Sequence, residues 1–61
     1  MFTTADRRMV ITMLAEGHPV WFVAAQVRRH SRDVEAVAKQ HGYPDPASLR
    51  RAALRLAPKA A

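Results

Sequence analysis

The chain has 61 residues and no cysteine, so it forms at most one small domain, and neither disulfides nor thiolate-bound metal stabilises it. Ten Lys and Arg residues against five Asp and Glu residues give a net charge of +5, which favours a polyanionic partner, either nucleic acid or an acidic protein surface. The longest uncharged run, residues 17–27, is about half the roughly 20 residues that a membrane-spanning helix needs. Because the first residues also lack the pattern of a signal peptide, we expect a cytoplasmic protein that does not bind membranes.

The first predicted helix begins near Thr3 or Thr4. Thr3 and Asp6 have the spacing of a capping box, in which each side chain accepts a hydrogen bond from a backbone N–H at the helix start. Gly17 predicts the end of this helix, because glycine readily adopts a left-handed conformation. Apolar residues at helical spacing predict a buried stripe, formed by Met9, Val10, Met13 and Leu14.

The second predicted helix begins at Pro19, since proline is well tolerated in the first helical turn. Trp21 and Phe22 flank its inward face on both sides, so this helix is apolar around most of its circumference. We expect either the fourth helix or a partner to cover the additional apolar surface. The inward face repeats at helical spacing and consists of Val20, Val23, Ala24 and Val27.

The third predicted helix has Ser31 as its N-cap, Asp33 in its first turn and Gly42 at its end. Its outer face is polar and carries both signs of charge. The residues expected to face inward are Val34, Val37, Ala38 and His41. Those expected to face outward are Arg32, Glu35, Ala36, Lys39 and Gln40.

The fourth predicted helix begins with Asp45 as its N-cap and Pro46 in its first position, and it ends before Pro58. Its inner face is Leu49, Ala52, Ala53 and Leu56, and its outer arginines are Arg50, Arg51 and Arg55. No segment alternates with a period of two, so we expect no sheet. The sequence therefore predicts an all-α fold, a three- to four-helix bundle, with residues 1–57 as one helical domain and residues 58–61 as a flexible C-terminal tail.

Residues 23–37 resemble the helix-turn-helix of homeodomain-like bacterial and phage DNA-binding proteins. The small residue inside the first helix of the pair is Ala24, and apolar residues flank it at Val23 and Val27. Two further apolar residues, Val34 and Val37, anchor the second helix. The resemblance continues through the lead-in at residues 14–19. The turn differs, because Arg28 stands at the usual glycine position and Arg29 at the following apolar position. We therefore expect either a left-handed Arg28 or a reshaped turn. The alternative to the resemblance as a whole is a generic helical bundle whose apolar spacing matches by coincidence.

The resemblance implies a small DNA-binding protein, either a transcriptional regulator or an accessory factor of a bacterium or phage, acting in the bacterial or infected cell. The third helix would enter the major groove, where arginine pairs with guanine, glutamine with adenine, and alanine meets the thymine methyl group. Asp33 and Glu35 oppose this hypothesis, because their charges repel phosphate. The residues expected to contact double-stranded DNA are Arg28, Arg29, His30, Ser31, Arg32, Ala36, Lys39, Gln40, Arg50 and Arg51.

A second hypothesis rests on the adjacent aromatic residues Trp21 and Phe22. They point in different directions from one helix, and an exposed one would mark a protein interface. The chain would then be a helical interaction module that binds and modulates another protein, such as a host protein, or it would bind a second copy of itself.

The sequence indicates no catalytic or metal chemistry. His18, His30 and His41 lack the paired spacing of zinc ligands. No serine has a base at a recognisable spacing, and the two glycines do not form a phosphate-binding loop. We therefore expect no enzymatic activity, no metal and no cofactor.

Overall fold

A computed structural model describes residues 2–57, which form four helices. They are α1 (Thr4–Ala15), α2 (Val20–Val27), α3 (Ser31–Lys39) and α4 (Pro46–Leu56). No strand occurs in this described range, so the predicted all-α class is confirmed. The predicted tail at 58–61, including the helix-ending Pro58, lies outside the described residues, as does Met1.

Side-chain caps start the first and last helices as the sequence predicts. At α1, Thr3 Oγ1 accepts a hydrogen bond from the Asp6 N–H at 3.0 Å, and the Asp6 carboxylate accepts one from the Thr3 N–H at 3.2 Å. At α4, the Asp45 carboxylate accepts hydrogen bonds from the backbone N–H and the hydroxyl of Ser48. These contacts satisfy backbone donors that the first helical turn leaves without intrahelical partners.

The two inner helices begin differently from the prediction. Helix α2 begins at Val20, one residue later than predicted, and Pro19 is its N-cap. The N-cap of α3 is His30, so Ser31 is the first helical residue and the prediction of a Ser31 cap is wrong. Neither N-cap residue donates or accepts a side-chain capping hydrogen bond. The first N–H groups of α3 therefore have no side-chain acceptor.

Three helix ends close in the same way, with a hydrogen bond from a backbone N–H to the carbonyl five residues earlier. These bonds join His18 to Met13, Arg29 to Ala24 and Tyr43 to Ala38, each at 3.1 Å. The residue before each donor has a positive φ: Gly17 at 97°, Arg28 at 57° and Gly42 at 95°. This is the Schellman pattern of helix termination. The predicted stop at Gly17 is confirmed, whereas α3 ends at Lys39, three residues before the predicted stop at Gly42. Arg28 takes the left-handed conformation that glycine has at the other two positions.

The core draws on all four helices, and α1 lies at its centre because it contacts each of the others. The clustered buried residues are Val10, Ile11, Leu14, Val23, Ala24, Val34, Ala38, Leu49 and Ala52. Val20, Val27, Ala53 and Leu56 pack against this cluster while remaining partly exposed, and Val37 is also buried. The predicted inner faces of α2, α3 and α4 therefore agree with the structure.

The predicted stripe of α1 needs correction. Met9 was expected in the core but its side chain is 48% exposed, whereas Ile11 is fully buried and was not predicted. Met13 is half-buried. The buried side of α1 is thus rotated toward Ile11, because α1 must face α4 as well as the α2–α3 pair.

The fourth helix packs most extensively against α1 and leaves the outer side of α2 uncovered. Trp21 is 69% exposed as a result. The fourth helix therefore does not cover the additional apolar surface of α2, which was one of the two expectations from the sequence. Within residues 2–57, no helix is both long and apolar enough to cross a membrane.

Candidate nucleic-acid interface

The turn between α2 and α3 consists of residues 28–30. Arg28 has φ 57° and ψ 46°, and its N–H donates to the carbonyl of Ala24. Since the next N–H donates to the same carbonyl, the chain reverses tightly and α3 starts after only three residues. Arg28, Arg29 and His30 are all exposed. The local geometry thus presents a cluster of basic side chains at the start of α3.

Arg29 joins this turn to the beginning of the chain. Its Nη2 lies 3.5 Å from the Asp6 carboxylate, and its guanidinium carbon lies 5.6 Å from the centre of the Phe2 ring. Ion-pair and cation–π contacts at an exposed site are each worth up to about 1 kcal/mol. A phosphate contact by Arg29 would therefore compete with Asp6 and Phe2. Arg28, the other arginine of the turn, makes no ion pair or cation–π contact within residues 2–57.

The outer face of α3 carries four exposed residues from the expected DNA contacts: Arg32, Ala36, Lys39 and Gln40. Lys39 Nζ lies 3.3 Å from the Glu35 carboxylate one turn earlier, so part of its charge is neutralised. The helix as a whole contains two basic and two acidic residues. The positive potential of this surface therefore comes from the turn and from Arg32 rather than from the length of α3.

The start of α3 offers donors for an anion. A shallow groove there is lined by His30, Arg32 and Asp33, next to the exposed Ser31. The first backbone N–H groups of a helix point outward and favour negative charge, and in α3 no capping side chain accepts from them. Asp33, in the same turn, reduces this preference.

The arginines of α4 lie elsewhere. Arg50 lines a groove with Thr12 and Ala15 in the second half of α1, whereas the turn is joined to Asp6 at the beginning of α1. Ala15 lies nine positions after Asp6, a distance of about 14 Å along the helix axis. Arg51 donates a hydrogen bond to Ser48 Oγ at 3.2 Å. The structure thus brings the turn residues and the α3 residues together and separates Arg50 from them.

The aromatic residues of α2 form a second surface. The Trp21 and Phe22 rings meet edge to face with centroids 5.9 Å apart, and the His18 ring stacks on Phe22 at 5.0 Å. Phe22 is half-buried, while the indole of Trp21 is largely exposed. The indole of Trp21 therefore lies at the surface, and only Phe22 is partly covered by the domain.

The three histidines lie apart from one another in sequence and in their contacts. His18 belongs to the aromatic cluster, His30 is the N-cap of α3, and His41 is half-buried with an Nε2 atom that has no hydrogen-bond partner in the described structure. Among residues 2–57, no three His, Asp or Glu side chains are grouped so that they could hold a metal ion.

No family model, curated protein or solved structure matches the chain. The sequence did not indicate that Phe2 and Asp6 belong to the turn surface, because no local pattern relates them to Arg29 more than twenty positions later.

Proposed function

We propose that this chain is a small DNA-binding protein of the helix-turn-helix type, a transcriptional regulator or accessory DNA-binding factor of a bacterium or phage. The observation that carries the proposal is the left-handed Arg28, which closes a three-residue turn between α2 and α3. With this conformation, the arginine adopts the backbone geometry that glycine commonly supplies at a helix end. It also adds a cation beside the start of the helix that would read DNA.

Affinity in this proposal comes from the turn. Arg28 and His30 would contact phosphates, together with the backbone N–H groups at the start of α3 that lack a side-chain acceptor. The net charge of +5 favours approach to a polyanion. Such contacts set the orientation of the protein on the duplex and carry no base information themselves.

Specificity would come from the outer face of α3. Arg32 is suited to guanine, Gln40 to adenine and Ala36 to a thymine methyl group in the major groove. All three are exposed. Because Lys39 is paired with Glu35, we assign it a smaller role than Arg32.

The direct test is selection from a pool of random double-stranded DNA, followed by affinity measurement at about 50 and 200 mM salt. We expect the protein to enrich a motif, and its affinity to fall steeply with salt. Arg32→Ala should lose preference at one base position, at a cost of about 1–3 kcal/mol. Arg50→Ala removes the same charge from α4, beside the far end of α1, and should keep the motif. A pool that shows no enrichment, with an affinity that salt does not change, would overturn the proposal.

The second candidate function is binding to another protein through Trp21 and Phe22. The observation that favours it is the 69% exposure of Trp21, since a large exposed aromatic side chain is a frequent anchor of protein interfaces. Trp21→Ala separates the two functions once circular dichroism shows that the variant is folded. If folded Trp21→Ala retains DNA binding and Arg32→Ala loses it, the DNA-binding function is favoured. The reverse order favours the protein partner.

A further inference from the structure

The ion pair between Arg29 and Asp6 connects the turn before α3 to the first helical turn of α1. Arg29 Nη2 lies 3.5 Å from Asp6 Oδ2, and the guanidinium carbon lies 5.6 Å from the centre of the Phe2 ring. The side chain of Asp6 is 29% exposed and that of Arg29 37%. The guanidinium of Arg29 therefore has an anion and an aromatic ring as neighbours, and both come from the beginning of the chain.

Asp6 is held in position independently of Arg29. Its Oδ2 atom, which faces Arg29, also accepts the hydrogen bond from the Thr3 N–H at 3.2 Å, and the Asp6 N–H donates to Thr3 Oγ1 at 3.0 Å. This capping box fixes the direction of the carboxylate through the helix start itself. A carboxylate held in this way loses little side-chain freedom when it pairs with a cation, which favours this pair over one between two mobile side chains.

The Phe2 side chain borders the face of α3 that would read DNA. Phe2 is half-buried, whereas Ala36, the residue suited to a thymine methyl group, is exposed. Both residues line one open groove of about 340 Å³, whose other walls are Arg29, Asp33 and Val37. The contact of Phe2 and Asp6 with Arg29 therefore lies beside a proposed base-reading position.

We propose that Phe2, Thr3 and Asp6 form an N-terminal latch that holds Arg29 away from DNA, and that Arg29 leaves Asp6 for a phosphate when the protein binds a duplex. The latch rests on the DNA-binding function proposed above and regulates the same surface. Because Arg29 exchanges a carboxylate for a phosphate, the two contacts largely offset each other. Arg29 therefore adds little affinity in the wild-type protein, and Asp6 is the positioning residue that limits its contribution.

Removing the charge of Asp6 should raise the affinity for DNA. In Asp6→Asn the amide oxygen can still accept from the Thr3 N–H, so the cap is kept while the charge that holds Arg29 is lost. The modest strength of an exposed ion pair sets the expected gain at about two- to fivefold. In the wild-type protein the vacated carboxylate takes up a cation, which offsets the counterion that Arg29 displaces from the phosphate. Asp6→Asn lacks this uptake, so its log–log salt dependence should be steeper by up to about one.

A double-mutant cycle on DNA affinity tests the latch. Fluorescence anisotropy with one labelled duplex of mixed sequence compares the wild-type protein, Asp6→Asn, Arg29→Ala and the double variant over a series of salt concentrations. We expect the gain from Asp6→Asn to be largely lost in the Arg29→Ala background. Equal gains in both backgrounds would mean that Asp6 only repels phosphate, which overturns the latch. Glu16→Gln is the matched control, because it removes the same charge from the C-cap of α1; a gain from Asp6→Asn no larger than from this control also overturns the latch.

The same measurements separate a failure of the latch from a failure of DNA binding. If neither the wild-type protein nor any variant binds the duplex, the proposed function fails and the latch with it. If all bind but Asp6→Asn changes nothing, only the latch fails. Should circular dichroism show that Asp6→Asn is unfolded, Phe2→Leu replaces it, because leucine keeps an apolar side chain against the core and removes the aromatic face from the guanidinium. Phe2→Leu must then raise DNA affinity, and must do so only while Arg29 is present, for the latch to stand.

Discussion

Replacing Arg28 with glycine should stabilise the domain relative to replacing it with alanine. Both variants lose the same charged side chain, so their difference reports the backbone alone. Arg28 has φ 57°, a conformation that costs a residue with a Cβ atom about 1–2 kcal/mol. Glycine avoids that cost but loses about 0.4–1 kcal/mol through the greater freedom of its unfolded chain. The glycine variant should therefore be the more stable by about 0.5–1 kcal/mol.

The assay is urea and thermal unfolding followed by circular dichroism. For a domain of this size, 1 kcal/mol corresponds to about 4–8 °C in Tm, so the two variants should differ by several degrees. Both should weaken DNA binding equally, because the lost charge is the same. A glycine variant no more stable than the alanine variant would show that the turn is not left-handed at Arg28, and the turn geometry that carries the DNA-binding proposal would fail with it.

Three further predictions concern the core, the helix ends and a helix cap. Ala24→Glu buries an unpaired charge at a 5% exposed position, which costs several kcal/mol of a total stability of about 3–9 kcal/mol; circular dichroism should show an unfolded chain. Gly42→Ala should lower Tm more than Gly17→Ala, because both have positive φ but only at Gly42 would the new Cβ collide with Ser48. Hydrogen bonds from Ser48 lower the pKa of Asp45 in the folded protein. The ionised cap therefore stabilises the fold at pH values above the pKa of Asp45 in the unfolded chain, and this stabilisation is lost as the pH falls through the lower pKa of the folded state. Urea midpoints of Asp45→Asn should depend less on acid pH than those of the wild type.

The helix pattern was predictable because caps, glycines and prolines lie where chain geometry requires them. Thr3 with Asp6, Gly17, and Asp45 with Pro46 each mark a boundary that the structure has. Their signals are local, since each depends only on residues within one helical turn.

Which side of α1 faces the core could not be predicted in the same way. The run Met9, Val10, Ile11 offers two sets of residues at helical spacing, one including Met9 and the other including Ile11. Local periodicity fits both. The choice depends on where α4 docks, and that is decided by packing between distant segments. The tie of Arg29 to Asp6 and Phe2 is non-local for the same reason.

If the protein binds DNA, the charge of Arg28 explains why an arginine occupies a position whose backbone conformation favours glycine. A 61-residue domain has little stability to lose, and Gly17 and Gly42 show that the same terminating motif is built elsewhere in this chain with glycine. Strained backbone that persists in a small domain is commonly found where a side chain has a task. Within residues 2–57, the exposed guanidinium of Arg28 makes no ion pair or hydrogen bond that would offset this strain, whereas a phosphate beside the start of α3 would offset it. The glycine variant should thus be more stable than its alanine counterpart yet no better at binding DNA, which is the pattern expected if the arginine is present for its charge.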